Sequence, residues 1–418
     1  MIRELYEGAF EGETDSGLRI LVEEVPQSRS VSLGIWIRSG SRDDPEAAPG
    51  IAHFIEHLAF KGTASRDAAQ ISREIDGVGG NLNAATGRES TVFYSDVPAE
   101  GLDTSLDVLT DLVSSPSFTP ESVELERTVI LDEIRGHEDD PEASAFDRFV
   151  QNVWSDGSPL ARPVLGTRTS LDRITREDVV SHHVRHYRPQ EMIVAGAGAL
   201  DASAFIDAVT TRLSPLESSE AAPRDRVAPE FVSGAHDNVR DGGQTHVYAA
   251  LPGAPAGDPD RYALELVNVA LGDGASSRLF RGIREERGLA YAVGSTLIRY
   301  SDVGLWLAYA STSPAHANEV RGLLESEIGR LAANGLDDAE IELARARLHG
   351  LFVLGMESNA NRAMRLGTAA VTQRRILAPS EVLAKLDAVT ADEVAAVIDR
   401  YVRPDVLHVT SVGPQAST

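Results

Sequence analysis

Cysteine is absent from the 418-residue chain, which excludes disulfides, thiolate metal ligands and a cysteine nucleophile together. Long apolar runs are missing too. No stretch approaches the roughly 18 uncharged residues of a membrane-spanning helix, and the opening MIRELYEGAFEGETDSGLRI lacks the apolar run of a signal peptide. A soluble cytoplasmic protein without a membrane partner is the expectation. Positive charge is scarce: 39 Lys and Arg stand against 64 Asp and Glu, a net -25. Such a surface repels phosphate backbones, so nucleic acid is not an expected partner. What remains is a globular composition, 42% apolar and 25% charged, over a length suited to two or three domains.

The sequence repeats itself at an offset of 215 residues. LDRIT-REDVV, from Leu171, returns as LDAVT-ADEVA, from Leu386; Thr175/Thr390, Arg188/Arg403, Pro189/Pro404 and Gly198/Gly413 keep the same spacing. Each copy reads as a Thr-capped helix, an Arg-Pro break and an apolar strand. The repeat predicts two homologous domains, 1–213 and 232–418, joined by a Pro-, Ser- and charge-rich linker, 214–231. Alternating Val31, Leu33, Ile35 and Ile37 predict a strand in the first half, with 245–251 its weaker counterpart. Helical stretches at 101–114, 120–136 and 315–333, without regular strand–helix alternation, favour α+β over a doubly wound sheet.

The densest chemistry is PGIAHFIEHLAFKGT. His53 and His57 stand four apart, which on a helix places both imidazoles on one face, one turn apart. Two neutral imidazoles so arranged chelate a metal, and zinc is the usual occupant of nitrogen and oxygen sites without redox chemistry. Glu56 projects near the same face, as a carboxylate suited to taking a proton from water. His-x-x-Glu-His is the inverted form of a better-known zinc peptidase motif. ELERTVILDEI offers two further carboxylates: Glu126 and Glu133, seven residues and two turns apart, face the same way, with Val129, Ile130 and Ile134 as packing residues. One would ligate the metal and the other would hydrogen-bond a ligating His. Spacing alone does not assign the roles.

HFIEH followed by this E-x6-E, with LNAATGRESTVFYSDV and ILDEIRGHEDDPE, resembles the pitrilysin/insulinase family of zinc metallopeptidases, in the short branch that includes mitochondrial processing peptidase and its bacterial relatives. The resemblance implies one zinc per chain, held by His53, His57 and Glu133, with Glu56 as general base and Glu126 as supporting carboxylate. It places Asn83 and Ala84 of GGNLNAATGRES on a strand that receives the substrate backbone. It also makes Arg284 and Tyr291 of RGIREERGLAY an Arg-x6-Tyr pair that stabilises the tetrahedral intermediate. The implied fold is two α+β domains, each an antiparallel sheet of about six strands packed with helices, and the implied activity is hydrolysis of peptides or unfolded segments inside a closed chamber. A homodimer is the implied working unit, with a heterodimer beside an inactive homologue, or a non-catalytic scaffold, as alternatives.

The repeat supplies an internal control. The same offset carries His53 to Asn268, Glu56 to Leu271, His57 to Gly272 and Glu133 to Leu348, so the second half lacks the metal motif. His182 and His186 of SHHVRHY form a rival pair at the same spacing, read as structural because no acid lies nearby in ligand spacing. GDGASSRLF, Gly272 to Phe280, lacks the Lys-Ser/Thr of a phosphate loop and reads as a turn opening a helix.

Overall fold

A computed structural model describes residues 2–216, 226–372 and 375–414; half of the expected 214–231 linker, residues 217–225, lies outside these. The chain divides into two compact units. The first comprises Met1–Arg135, Arg162–Asp225 and Leu354–Ala378, and the second Gly136–Ala161, Arg226–Val353 and Pro379–Thr418. Each unit is therefore not a simple half of the sequence: it includes one helix encoded in the other half.

The first unit holds strands β1 (Ile2–Tyr6), β2 (Ala9–Glu13), β3 (Arg19–Glu24), β4 (Ser30–Ile37), β5 (Asn81–Thr86), β6 (Thr91–Pro98) and β7 (Met192–Gly198) in the order β1-β2-β3-β7-β4-β6-β5. The second holds β8 (Gly234–Val239), β9 (Thr245–Gly253), β10 (Ala290–Arg299), β11 (Gly304–Thr312) and β12 (His408–Gly413) in the order β10-β11-β9-β12-β8. In place of about six strands each, the sheets have seven and five among the described residues. They share a five-strand core of one topology, and the first adds the β1–β2 hairpin outside β3. Both are antiparallel except for one parallel pair, β3 with β7 and β8 with β12. The repeated helices carry matching caps: Thr175 Oγ1 accepts the Asp178 N–H at 3.1 Å, and Thr390 Oγ1 the Glu393 N–H at 3.2 Å.

The alternation in β4 puts Val31, Leu33, Ile35 and Ile37 into the main core of the first unit, against helices that include Ile51–Ala59 and Leu102–Ser114. The opposite face is buried as well. Trp36, Leu21, Val92, Ile193 and Ala195 pack against Leu366 and Ala370 of helix Asn359–Thr372. Arg362 and Arg365 of that helix pair with Glu23, whose side chain is 4% exposed. The second unit is built the same way. Phe149, Val150 and Val153 of helix Pro141–Val153 cover Tyr248, Ala250, Leu305, Leu307 and Val412 on one face of its sheet. Burying both faces is what lets the strand MIVAGAG be apolar or small throughout. Among the described residues, no helix is long and apolar enough to cross a membrane.

Candidate metal centre

Two helices build the site. The first, Ile51–Ala59, is set by its N-terminus. Gly50 adopts a positive φ of 93°, and a Cβ there would lie 2.7 Å from the Leu165 carbonyl oxygen, so only glycine fits this turn. The buried Asp44 carboxylate accepts the N–H groups of Gly50 at 2.6 Å and Ala52 at 3.2 Å, satisfying donors that the helix itself leaves open. Burial pushes the Asp44 carboxyl up to about 8 despite those bonds. Phe54, Ile55 and Leu58 enter the core, which turns His53, Glu56 and His57 to the opposite side.

The second helix, Pro120–Asp139, buries Val123, Glu126, Ile130 and Ile134. Val129, expected among the packing residues, is instead 43% exposed, because it sits about 100° around the helix from Ile130. The Arg127 guanidinium lies 5.6 Å over the Phe54 ring and donates to the Ile174 carbonyl at 2.8 Å, tying the two helices together.

His53, His57 and Glu133 converge, with one ligand atom from each within 4.8 Å of the others. Glu133 Oε2 is 3.4 Å from His57 Nε2 and 3.8 Å from His53 Nε2. Ligand bonds of about 2.1 Å at tetrahedral angles set donors about 3.4 Å apart, so this nitrogen–oxygen set fits zinc. His57 Nδ1 faces Glu126 Oε2 at 3.2 Å, which directs the ring's other nitrogen toward Glu133. Burial, reinforced by the neighbouring His57, lowers His53 to about 4 and keeps it a neutral donor. Burial opposes charge on His57 as well, but Glu133 and Glu126 outweigh it and raise the imidazole above its ordinary value. Burial also raises the Glu56 carboxyl, against a hydrogen bond from Thr86.

Three contacting residues were not legible in the sequence. Thr86 Oγ1 donates to Glu56 Oε2 at 2.5 Å from β5. Lys61 Nζ lies 2.8 Å from Glu126 Oε1, an ion pair without aligned hydrogen-bond geometry, beside a carboxylate only 1% exposed. Asp44, described above, is the third. Lys61 had one available signal, since it continues the four-residue spacing of His53 and His57.

Asn83 and Ala84 lie on β5, the edge strand of its sheet, and the Ala84 N–H donates to Asn83 Oδ1 at 2.8 Å. Arg284 and Tyr291 meet in the second unit, the guanidinium 4.9 Å from the Phe280 ring centre and 5.5 Å from that of Tyr291, which is 78% exposed. The His182 and His186 rings pack 4.4 Å apart. Burial holds His182 neutral, lowering it to about 3.

Residues 19–168 match the profile of the insulinase family, peptidase family M16, and residues 173–348 that of the peptidase M16 inactive domain. An uncharacterised zinc protease of Mycobacterium leprae is 36% identical over 384 residues, covering 91% of this chain and 86% of that protein. The chain belongs to peptidase family M16. Solved structures agree with the fold of this M16 chain. A peptidase M16 inactive domain from Pseudomonas fluorescens gives a TM-score of 0.91 at 21% identity over 98% of both chains. A protease from Helicobacter pylori gives 0.91 at 20% identity, covering 97% of this chain and 99% of the other. The half matching the inactive-domain profile is the half in which Asn268, Leu271 and Gly272 stand at the offset positions.

Proposed function

We propose that this M16 chain is a zinc-dependent endopeptidase acting on peptides or unfolded segments, with one zinc per chain held by His53, His57 and Glu133. The observation carrying this reading is the convergence of those three side chains, with ligand atoms within 4.8 Å of one another. Zinc there supplies a Lewis acid that polarises the scissile carbonyl and acidifies the attacking water. Glu56 is the general base, taking a proton from that water and returning it to the leaving amine; its raised pKa suits both transfers. Glu126 orients His57. Strand β5 offers its open edge at Asn83 and Ala84 to an extended peptide, which adds as a further strand. The purified chain should contain about one zinc and cleave an unstructured peptide, losing turnover on chelation and regaining it with zinc. Full activity after zinc removal, or no zinc uptake, would overturn the reading.

We further infer that the working unit is a symmetric homodimer enclosing the substrate in a chamber. Longer members of the resembled family carry four such domains on one polypeptide, and this chain carries two. Arg284 and Tyr291 of a neighbouring chain would then stabilise the tetrahedral intermediate formed beside His53, Glu56 and His57. Mixing Glu56→Gln with Arg284→Ala chains, each inactive alone, should restore part of the activity, because one of the two sites in each mixed dimer keeps both groups. No recovery despite demonstrated subunit exchange would place both groups in one chain.

A further inference from the structure

We propose that Lys61 is a positioning residue of the metal centre, acting through Glu126. The inference rests on the zinc reading above and extends it by one residue. Glu126 is 1% exposed and its two carboxylate oxygens face different partners: Oε2 lies 3.2 Å from His57 Nδ1, and Oε1 lies 2.8 Å from Lys61 Nζ. A buried carboxylate is costly without a compensating charge, and Lys61 provides it while keeping a side chain 35% exposed.

The choice of lysine is informative. Of the 39 basic residues in the chain, only Lys61 and Lys385 are lysines; the rest are arginines. A guanidinium binds a carboxylate as a fork and engages both oxygens. At Glu126 that would draw Oε2 away from the imidazole. An ammonium is a point charge that engages one oxygen and leaves the other for His57 Nδ1. Lys61 thus fixes which way the carboxylate turns, and through it which imidazole nitrogen carries the proton. Nε2 is then left as the donor facing Glu133. His57 lies in the last turn of helix Ile51–Ala59 and Lys61 two residues past its end, where the Lys61 N–H still bonds to the Leu58 carbonyl at 3.0 Å. The two arms of the clamp are therefore held at fixed spacing.

A double-mutant cycle on the full chain tests this, reading zinc affinity by chelator competition at one pH. Lys61→Met should weaken zinc binding about tenfold, the lower end of what supporting carboxylates and their partners contribute. Lys61→Arg should also weaken it although the charge is kept. In a Glu126→Gln background, Lys61→Met should change affinity by less than about twofold. A second readout uses the metal-free protein at a pH high enough that the His57 imidazole, raised against burial by Glu133 and Glu126, is neutral: ¹⁵N shifts of His57 should report the Nδ1–H tautomer in the wild type and a loss of that preference in Lys61→Met. If Lys61→Met does not fold, Lys61→Gln takes its place in both measurements. Wild-type affinity in the Lys61 variant, an equal loss in both backgrounds, or full function with Arg would each overturn the proposal. A wild-type chain that takes up no zinc overturns the metal reading instead, and the tautomer measurement then decides the role of Lys61 alone.

Discussion

Helix Ile51–Ala59 of the first unit and helix Arg261–Gly272 of the second occupy corresponding places beside five-strand cores of one topology, yet the residues at their matching positions meet opposite requirements. At the offset position of His53 stands Asn268, 6% exposed, whose Oδ1 accepts the Ser295 hydroxyl at 2.8 Å and the Trp306 indole N–H at 3.0 Å. At that of His57 stands Gly272, where a Cβ would lie 2.3 Å from the Ser295 nitrogen. The second helix is pressed onto β10 and its polar atom is consumed by packing. In the first unit the corresponding nitrogens face Glu133, whose side chain is 43% exposed, and His53 Nδ1 has no hydrogen-bond partner. One scaffold position serves as a ligand platform or as a sealed joint, depending on how closely helix and sheet approach.

The comparison breaks first at Glu56. Glu56→Gln should lower peptide turnover by roughly 10²–10⁴-fold, the range for loss of a general acid–base group, while zinc content stays at the wild-type level. Near-normal rates would remove Glu56 from the proton transfers and leave the first helix with no advantage over Leu271 of the second. A smaller effect sharpens the other side. Asn268→Ala should cost about 1–3 kcal/mol of unfolding free energy, since it strands the buried Trp306 indole N–H, while the Ser295 hydroxyl keeps the Asn268 backbone carbonyl at 3.0 Å, and should leave zinc affinity unchanged. A drop in metal binding without a loss of stability would mean that the second helix supports the metal centre after all.

The smallest expected effect is on acid stability, and both units share it. Burial lowers His182 to about 3, and His183 and His408 to about 4, from 6.5. The unfolded chain therefore binds these protons first, and each group withdraws stability as pH falls from about 6.5 toward those values. Asp44 works in the other direction: raised from 3.8 to about 8, it favours the folded state most at low pH and withdraws that contribution as pH rises through this range. Thermal melts of His408→Gln between pH 4 and 7 should show a shallower acid loss than the wild type. An unchanged slope would remove His408 from the balance.

The metal helix was legible because its ligands sit within one period of a regular element, so that spacing alone puts His53 and His57 on one face. Glu126 and Glu133 were legible as a pair for the same reason. Which of them meets which histidine depends on how two helices cross, and that is not written in either segment. Thr86 and Asp44 reach the site from a sheet edge and a loop, where local pattern carries no information about the partner. The repeat exposed the shared architecture and the caps at Thr175 and Thr390. It did not expose where helices Pro141–Val153 and Asn359–Thr372 go, because an amphipathic helix declares that it buries a face without declaring against which sheet.

That last feature sets a schedule for synthesis. The first sheet has its final strand once Gly198 is made, but the face carrying Trp36, Leu21 and Ile193 is covered by a helix that ends at Thr372. At about 5–20 residues per second the ribosome needs roughly 10–35 s to supply it. During that interval the sheet presents an apolar face to the solvent, and Glu23 waits buried-to-be without Arg362 and Arg365. A chain stalled or truncated within this window is therefore a natural client for a chaperone, and the cover of one face of the first sheet is among the last parts of that unit to form.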